Sequence, residues 1–537
     1  MKILLIVPRY NFTNEVSYRY SFPLGFAHIS AVLKNAGYPV SVLNLNHVAG
    51  EINKIVTDEL YKNHYDIVCT GNTYLGLVLT QNMVRTIHEH QSKPIIILGG
   101  PMVTNEPEAM AKLLRPDFII REEGEETILE LVSYLKDKKN YENVKGIGYF
   151  DSNGEVKLTE SRGQVENLDT LPYPDFEGLG YEEWLNNQCT NDMFNGIVDN
   201  PRPYPILGSR GCAYKCTFCY HFSSRYKLRS IDSIMTELRQ NIKKYRINLI
   251  NLYDDLFSAN KARLYDFCGK IKELKNELPW DLKWSCQLAV NVVDKELITT
   301  LKDSGCCWIS FGFESMSPKV LKSMDKQFIT PEQIKQTYFL SKEAKINVQA
   351  NFIFGDLAET KETAQETLDN WKKYFAGQIY LTFIRPYPGS AIYEYCKKKG
   401  IIKDPMEFIK NLDVLSENYY NFTEGMSDEE FNKLKKTIFQ YNIKYSKFVV
   451  PHLKERNKGI YDLKVTCPHC KSKQEYGKVR IENRKSFAIW LVCRNCAMRF
   501  HVASILQKIG TKMYPPLKPL IDFYKKNKIN LKKYVYA

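Results

Sequence analysis

Long hydrophobic runs are missing from this chain of 537 residues. The apolar stretch at its beginning, ILLIV, stops at Pro8 and is too short for the core of a signal peptide or for a membrane span. No other stretch approaches the roughly 18 apolar residues of a transmembrane helix. We therefore expect a cytoplasmic protein without a membrane partner. Because disulfides are rare in that compartment, the 14 cysteines should be free thiols or metal ligands.

Net charge is nearly absent from the first 450 residues, although the whole chain carries +14. From residue 451 onwards there are 20 Lys and Arg against 5 Asp and Glu. A basic end on a near-neutral body suggests an anionic partner, such as a phosphorylated substrate, RNA or an acidic protein. The alternative is a solvated lysine-rich end that only aids solubility, because a charge surplus alone says little.

Residues 1–140 alternate short apolar runs with helical patterns. The Ile-, Val- and Leu-rich runs at 2–7, 40–45, 66–71, 94–100 and 118–124 predict strands of an α/β domain with a Rossmann-like, doubly wound parallel sheet. Ligands of such folds bind beyond the carboxyl ends of the strands. The candidate ligand-binding residues at that edge are Thr70, Gly71, Thr73, Gly99, Gly100, Glu123 and Gly124.

The remaining chain divides by its patterns into five further regions. Residues 141–200 lose the periodicity and predict a hairpin and a linker. Six strand–helix units over 201–400 predict a partial (β/α)6 barrel, with its site at the carboxyl ends of the strands. Residues 401–460 are predicted to be a helical extension, 461–505 a small cysteine-bearing module, and 506–537 a basic tail.

Three cysteines follow the first predicted barrel strand in the sequence GCAYKCTFCYH. Cys212, Cys216 and Cys219 are spaced so that one loop can wrap three corners of an iron–sulfur cubane. No fourth cysteine lies in this loop, which leaves one iron open to exchangeable ligands. A zinc site or unrelated cysteines are the alternatives, and the barrel context disfavours both.

This loop resembles that of the radical S-adenosylmethionine (SAM) superfamily, including the aromatic Phe218 before the last cysteine. The resemblance implies a [4Fe–4S] cluster whose open iron binds SAM, and an electron donor such as flavodoxin or ferredoxin. It also implies SAM contacts at strand ends, for which the candidates are Asp254, Asp255, Glu314 and Pro386. Asp254 and Asp255 have helix capping as an alternative role. Asp356, Leu357 and Ala358 depart from the usual strand-end pattern, as do Ala289 and Asn291.

The N-terminal domain resembles the cobalamin-binding domain of B12-dependent radical SAM enzymes, such as class B methylases and the anaerobic protoporphyrin-ester cyclase. The matching segments are FPLGFAHISAVLKNAGYPVSVLN, CTGNTYL, IIILGGPMVTNEPE and REEGEETILEL. Met102 and Glu122 stand where many relatives have His and Gly. The D-x-H-x-x-G sequence of other B12 proteins is absent, and we interpret His47 with Gly50 as a chance partial match. An alternative is a domain that has lost cobalamin and only covers the barrel.

The resemblance implies that a 5′-deoxyadenosyl radical removes hydrogen from an unactivated carbon, which then receives a methyl group from methylcobalamin. One alternative is a cobalamin-dependent rearrangement or cyclisation without methyl transfer. Another is a binding protein that recruits RNA or an acidic partner through its basic end.

Two C-x2-C pairs occur near the end of the chain, at Cys467 with Cys470 and at Cys493 with Cys496. Four thiolates on two turns predict a closed tetrahedral, structural site of the zinc-ribbon kind, with a rubredoxin-like iron centre as the alternative. Its surface residues are predicted to present positive charge: Lys471, Lys473, Lys478, Arg480, Arg484 and Lys485.

Overall fold

The computed structural model describes residues 1–10, 13–192, 194–220, 225–412 and 419–510. Within these ranges, no helix is long and apolar enough to cross a membrane. Of the predicted basic tail, the part from residue 511 onwards lies outside the described residues. His221, which follows the cluster loop in the sequence, also lies outside them.

A seven-stranded sheet with helices on both faces forms the N-terminal part. Its strand order is β2-β1-β3-β4-β5-β6-β7, and β1 to β5 are parallel. The elements are β1 (Ile3–Val7), α1 (Leu24–Asn35), β2 (Val40–Asn44), α2 (Ile52–Lys62), β3 (Ile67–Gly71), α3 (Leu77–Glu89), β4 (Ile95–Gly99), α4 (Pro101–Asn105), α5 (Pro107–Leu114), β5 (Phe118–Ile120), α6 (Glu125–Lys136), β6 (Ile147–Phe150) and β7 (Val156–Leu158).

Successive residues of the first strand enter two different cores. Ile3 and Leu5 pack into one hydrophobic cluster and Leu4 and Ile6 into another, and all four are fully buried. Side chains alternate across a strand, so a continuous apolar run is what a sheet covered on both faces requires. The predicted doubly wound parallel sheet is thereby confirmed.

The predicted hairpin after residue 140 extends this sheet. Strand β6 pairs antiparallel with β5, and β7 pairs antiparallel with β6. The apolar strand residue Ile147 is fully buried in the N-terminal core. The sixth and seventh strands of the sheet therefore come from the predicted hairpin.

Seven parallel strands form the central part as an open, partial barrel. Strands β14-β13-β12-β11-β8 make one sheet, β15 and β16 make a second, and a bridge between Glu314 and Phe352 joins the two. The elements are α7 (Tyr181–Asn186), β8 (Pro203–Ile206), β9 (Ser209–Arg210), β10 (Lys227–Leu228), α8 (Ile231–Ile242), β11 (Leu249–Leu252), α9 (Lys261–Asn276), β12 (Lys283–Leu288), α10 (Lys295–Asp303), β13 (Cys306–Phe311), α11 (Pro318–Ser323), α12 (Pro331–Glu343), β14 (Asn347–Gln349), β15 (Asn351–Phe354), α13 (Lys361–Asn370), β16 (Tyr380–Phe383) and α14 (Ala391–Lys398). A single predicted strand is split into β14 and β15 at Ala350.

The C-terminal part combines two helices with two three-stranded sheets. Its elements are α15 (Pro405–Lys410), α16 (Asp428–Tyr445), β17 (Phe448–Val449), β18 (His452–Asn457), β19 (Ile460–Thr466), β20 (Lys473–Arg480), β21 (Ala488–Val492) and β22 (Arg499–Ala503). The sheets are β18-β19-β20 and β17-β22-β21. Two of these strands precede residue 461, so the module, defined here as residues 448–503, includes chain that we predicted to be helical.

Candidate active site and metal centres

The three cysteines of the cluster loop lie beyond the carboxyl end of β8. The loop is held by backbone hydrogen bonds from Thr217 N to Met324 O (3.2 Å) and from Ile392 N to Thr217 O (3.0 Å). Cys219 N also donates to Cys216 O at 3.1 Å. Helices α11 and α14 therefore fix the loop from both sides, because each contributes one partner next to its end.

The donor set of this loop fits a [4Fe–4S] cluster with one open iron. Cys216 is buried, whereas Cys212 and Cys219 are partly exposed. A hydrogen bond from Cys219 lowers the pKa of the Cys216 thiol, and the nearby ammonium of Lys326 lowers it further. Thiolates are the form that binds iron, and these contacts favour the thiolate at Cys216, whereas burial raises the pKa of Cys212 and the hydrogen bond with Cys216 raises that of Cys219.

Lys326 places a buried cation beside this loop, and sequence reasoning missed it. Its ammonium donates to Glu314 Oε1 and to Gly312 O, both at 2.9 Å. It also lies 6.0 Å from the ring of Phe218. Glu314 adopts a left-handed backbone conformation with φ of 59°, which a non-glycine residue rarely occupies. The carboxylate of Glu314 and the buried ammonium of Lys326 thus form an ion pair beside the cluster loop.

The two predicted aspartates after β11 lie in different places. Asp254 is fully buried and accepts a hydrogen bond from Gly208 N at 2.7 Å. Burial raises its pKa to about 7. Asp254 therefore anchors the end of β8, whereas Asp255 lines the large cavity described next. Pro386 is buried in the loop between β16 and α14.

A cavity of about 440 Å³ lies at the carboxyl edge of the N-terminal sheet. Its floor comes from the ends of β1, β3, β4 and β5, and its far wall includes Arg210, Gly211 and Asp255 of the central part. All the predicted edge residues of the first domain line it: Thr70, Gly71, Thr73, Gly99, Gly100, Glu123 and Gly124. The cavity therefore opens toward the segment that leads into the cluster loop.

Glycines keep the floor of this cavity open. A Cβ atom at Gly71 would lie 2.5 Å from Gly99 O, so the ends of β3 and β4 approach too closely for any side chain there. Gly100 has a φ of 90°, which favours glycine. Glu122 adopts a φ of 61°, which explains why glycine is common at this position in the resembled group. Thr70 lines the cavity, but its hydroxyl donates to Ile6 O at 2.8 Å and is committed to the sheet.

A buried ion-pair triad joins the N-terminal sheet to the cluster loop. The guanidinium of Arg210 lies 3.2 Å from Glu123 Oε2 and 2.6 Å from Glu125 Oε1. Burial acts to raise the pKa of Glu125, but the charge and the hydrogen bond of Arg210, together with smaller effects, outweigh it and the net pKa falls. For Glu123 burial prevails and the pKa rises. Because Arg210 stands two residues before Cys212, this triad fixes the distance between cavity and cluster loop.

Two buried polar atoms among the cavity-lining residues have no hydrogen-bond partner within the described chain. They are Nδ1 of His28 and Oε1 of Glu123. Burial lowers the pKa of His28 to about 4, so its imidazole is neutral at physiological pH. Buried polar atoms are normally satisfied, and a ligand with amide groups would satisfy both of these. The glycine-lined floor and the orphaned atoms fit a large amide-bearing cofactor such as cobalamin.

His47 lies outside this cavity. Its Nδ1 is 3.1 Å from Glu183 Oε2, and its Nε2 is 2.7 Å from the hydroxyl of Tyr20. Both ring nitrogens are therefore used within the fold. The interpretation of His47 as a chance partial match agrees with this placement.

The four C-terminal cysteines lie together in the module. Their ligand atoms are all within 4.8 Å of one another. Cys467 Sγ is 3.9 Å from Cys496 Sγ, and Cys470 Sγ is 3.7 Å from Cys493 Sγ. Four sulfurs at about 2.3 Å from a tetrahedral zinc ion would be about 3.8 Å apart. The site has the size and the closed geometry of a four-coordinate metal centre.

The two cysteine pairs have the same backbone geometry. In each turn the residue after the second cysteine is left-handed, Lys471 with φ of 63° and Ala497 with φ of 55°. Lys471 N donates to Cys467 O at 3.1 Å, and Ala497 N donates to Cys493 O at 2.7 Å. Two matching turns that face each other explain why the spacing within each pair is sufficient to predict the site.

Two of the six basic residues that we predicted on the module surface bind residues of the chain outside the module. Lys478 Nζ donates to Asn186 O at 2.6 Å, and Arg480 Nη2 is 3.4 Å from Asp192 Oδ2. Arg494 likewise pairs with Asp199 at 2.6 Å. Part of the module's positive charge therefore holds the module against Asn186, Asp192 and Asp199. The exposed members of the set are Lys471, Lys473, Arg484 and Lys485.

Two family models match the two parts that build the cavity. The Radical SAM superfamily matches residues 206–370, and the B12 binding domain matches residues 12–132. The first segment begins at the end of β8 and includes the three cysteines. A radical SAM domain implies a [4Fe–4S] cluster and SAM, and the B12-binding domain supports cobalamin.

Several proteins resemble the chain over most of its length. An uncharacterised methyltransferase of Pyrococcus horikoshii is 28% identical over 75% of this chain and 84% of its own. The anaerobic magnesium-protoporphyrin IX monomethyl ester cyclase of Cereibacter sphaeroides is 25% identical over 82% and 72%. The cytidylyl-2-hydroxyethylphosphonate methyltransferase of Streptomyces wedmorensis is 22% identical over 76% and 83%.

Solved structures share the fold. The radical SAM methyltransferase TsrM of Kitasatospora setae, solved with cobalamin and a [4Fe–4S] cluster, superposes with a TM-score of 0.60 at 16% identity, over 74% of this chain and 76% of TsrM. The cobalamin-dependent SAM radical enzyme OxsB gives a TM-score of 0.58 at 22% identity, over 76% and 56%. Together the two family models show that this chain carries a B12-binding domain at residues 12–132 ahead of a radical SAM domain at residues 206–370, and the relatives named above are enzymes.

Proposed function

We propose that this enzyme methylates an unactivated carbon of its substrate, with the 440 Å³ cavity holding cobalamin and Cys212, Cys216 and Cys219 holding the cluster. The observation that carries the proposal is the composition of the cavity wall. One side is the glycine-rich edge of the N-terminal sheet, and the other is the Arg210–Gly211 segment that enters the cluster loop. Both cofactors would therefore face one shared space.

When bound, the cluster supplies the electron that cleaves SAM, and cobalamin supplies the methyl group. The protein's own residues position and shield these groups. Lys326 and Glu314 hold a fixed charge pair beside the cluster loop, and Arg210 ties that loop to the N-terminal domain. Asn105 of α4 donates to Pro388 O at 2.9 Å, which closes the N-terminal domain over the loop after β16. These contacts would exclude water from the reaction space.

The relatives support methyl transfer over the alternatives. Two of the three relatives described above carry the name methyltransferase, and the third is a cyclase. A reaction without methyl transfer therefore remains the second candidate, supported by the cyclase resemblance. The candidate role as a simple binding protein is weakened because Lys478 and Arg480 are engaged within the chain.

We also propose zinc as the metal of the four-cysteine site, because the sulfur separations match a tetrahedral ion. The site would be structural, since four thiolates leave no open position. The exposed residues Lys471, Lys473, Arg484 and Lys485 remain candidates for contact with an anionic partner. A flavodoxin or ferredoxin is the proposed electron donor.

A test of methyl transfer can be made without knowing the substrate. Protein reconstituted with cluster and reduced cobalamin is mixed with methyl-labelled SAM, and S-adenosylhomocysteine and 5′-deoxyadenosine are quantified separately. We expect about one equivalent of S-adenosylhomocysteine per bound cobalt in the first turnover. A Cys216→Ala variant should lose 5′-deoxyadenosine formation. Production of 5′-deoxyadenosine with no S-adenosylhomocysteine would instead establish the reaction without methyl transfer.

A further inference from the structure

A second cavity, of about 450 Å³, lies between the module and the radical SAM domain. It is bounded by the first residues of three central strands, Asn347, Asn351 and Tyr380, and by β21 and β22 of the module. These strands start at this cavity, whereas the cluster loop follows the carboxyl end of β8, at the opposite end of the parallel strands of the partial barrel. A strand of four residues spans about 13 Å, so a ligand here lies away from the cluster.

The module places one cation in this cavity without an opposing carboxylate. Arg499 donates from Nε and Nη2 to Asn347 Oδ1, at 3.2 and 3.1 Å, and from Nη2 to Gln349 Oε1 at 2.8 Å. Among the residues that the structure describes, none forms a salt bridge with it. Desolvation lowers the pKa of Arg499 to about 10, the direction expected of a cation held by neutral groups.

The one carboxylate that lines the cavity is already neutralised. Asp192 Oδ2 is 3.4 Å from Arg480, and Asp192 Oδ1 is 3.6 Å from Arg19. The guanidinium of Arg499 has five N–H donors in a planar fork, and the contacts above use only Nε and Nη2. Its Nη1 group has no hydrogen bond among the described residues. The charge balance at this cavity therefore favours an anion.

Aromatic rings supply the remaining recognition surface. Trp490 on β21 is 44% exposed, and its ring is tilted by 43° against that of His501, with the ring centroids 3.6 Å apart. Phe194 packs on Trp308, with the ring centroids 4.6 Å apart, and both side chains line the cavity. Rings of this kind bind planar groups by stacking, and the volume falls in the range of roughly 300–1,000 Å³ that small-molecule sites occupy.

We propose that this cavity binds a small ligand that joins a planar ring to an anionic group, of which a mononucleotide is the chemical class. The anion would pair with Arg499, and the ring would lie against Trp490. Because the cavity has walls from both the module and the central strands, ligand binding would strengthen the docking of the module. This inference goes beyond methyl transfer and does not depend on cobalamin or on SAM cleavage.

The test is calorimetric titration of the full chain, loaded with cluster and zinc, with uridine monophosphate, uridine and inorganic phosphate. The pyrimidine probe keeps the ring chemistry apart from the adenosyl group of SAM. We expect uridine monophosphate to bind at least about tenfold more tightly than either of its parts, because charge and stacking act together. Binding no stronger than that of inorganic phosphate would overturn the proposal.

Variants of the same module separate this site from general charge effects. Arg499→Gln and Trp490→Ala should each weaken binding of uridine monophosphate by about tenfold or more, whereas Arg484→Gln, an exposed charge of the same module, should leave it unchanged. Zinc content and SAM cleavage should match the parent protein in the Trp490→Ala variant, which shows that the fold is intact. Equal affinity in all three variants would contradict the assignment.

Discussion

Replacement of Arg210 by methionine should destabilise the enzyme strongly, because it leaves two buried carboxylates unpaired. The side chains of Glu123 and Glu125 are only 3% and 7% exposed, and Arg210 is their shared counter-ion. Breaking a buried pair by removing one partner costs about 3–5 kcal/mol. At about 2–4 °C per kcal/mol for a domain of this size, the melting temperature should fall by about 6–20 °C.

The measurement is differential scanning fluorimetry of the anaerobically reconstituted protein between pH 5.5 and 8. Without Arg210, both carboxyl groups should have folded-state pKa values above their unfolded values. Stability would then be greatest at low pH and be lost as the pH rises through those values. The matched control is the triple variant Arg210→Met, Glu123→Gln, Glu125→Gln, which removes the charges and should recover most of the loss. A single variant that melts within about 2 °C of the parent at pH 8 would refute the reasoning.

Three further predictions concern other parts of the chain. Lys326→Met removes a positive charge beside the cluster loop and should lower the reduction potential of the cluster, whereas Lys326→Arg should preserve that potential. An EPR-monitored redox titration measures both variants, and equal potentials would contradict the prediction. Burial raises the pKa of Glu359 to about 8. The free energy of unfolding should therefore decline as the pH rises from about 4.5 to 8, by about 1.4 kcal/mol per pH unit. Urea unfolding of Glu359→Gln should no longer show this dependence. Cys467→Ser should reduce the zinc content below one per chain and make residues 448–503 sensitive to protease, while residues 1–400 stay resistant. An unchanged digestion pattern would show that the metal does not stabilise the module.

The sequence predicts the parts of the fold that depend on local patterns. Continuous apolar strands such as β1 and β4 indicate a sheet covered on both faces, and the glycines at 71, 99 and 100 indicate its open edge. The two C-x2-C pairs predict a metal site because each pair forms its own turn. In all these cases, neighbouring residues determine the geometry.

Residues whose role depends on distant segments could not be predicted. Arg210 contacts Glu123 and Glu125 from about 85 positions away, and nothing in its neighbourhood indicates that pairing. His28 has the pattern of an ordinary helix residue until the fold places it at the cavity. The charges of Lys478 and Arg480 indicate a binding surface in the sequence, yet in the fold they hold residues 186–192. Long-range docking decides such roles, and periodicity carries no information about it.

The central claim, that cobalamin occupies the cavity facing the cluster loop, is tested most directly by cobalt content. The protein is reconstituted anaerobically with hydroxocobalamin and desalted, and cobalt and iron are measured per chain. Gly25 on α1 lines the cavity, and a Cβ there meets nothing within 4 Å, so Gly25→Leu should fold and fill the space. Gly269→Leu on α9, with equally open surroundings and outside the cavity lining, is the control. We expect one cobalt per chain in the parent and in Gly269→Leu, and far less in Gly25→Leu. Normal iron content with no cobalt in the parent, or equal cobalt in all three proteins, would contradict it.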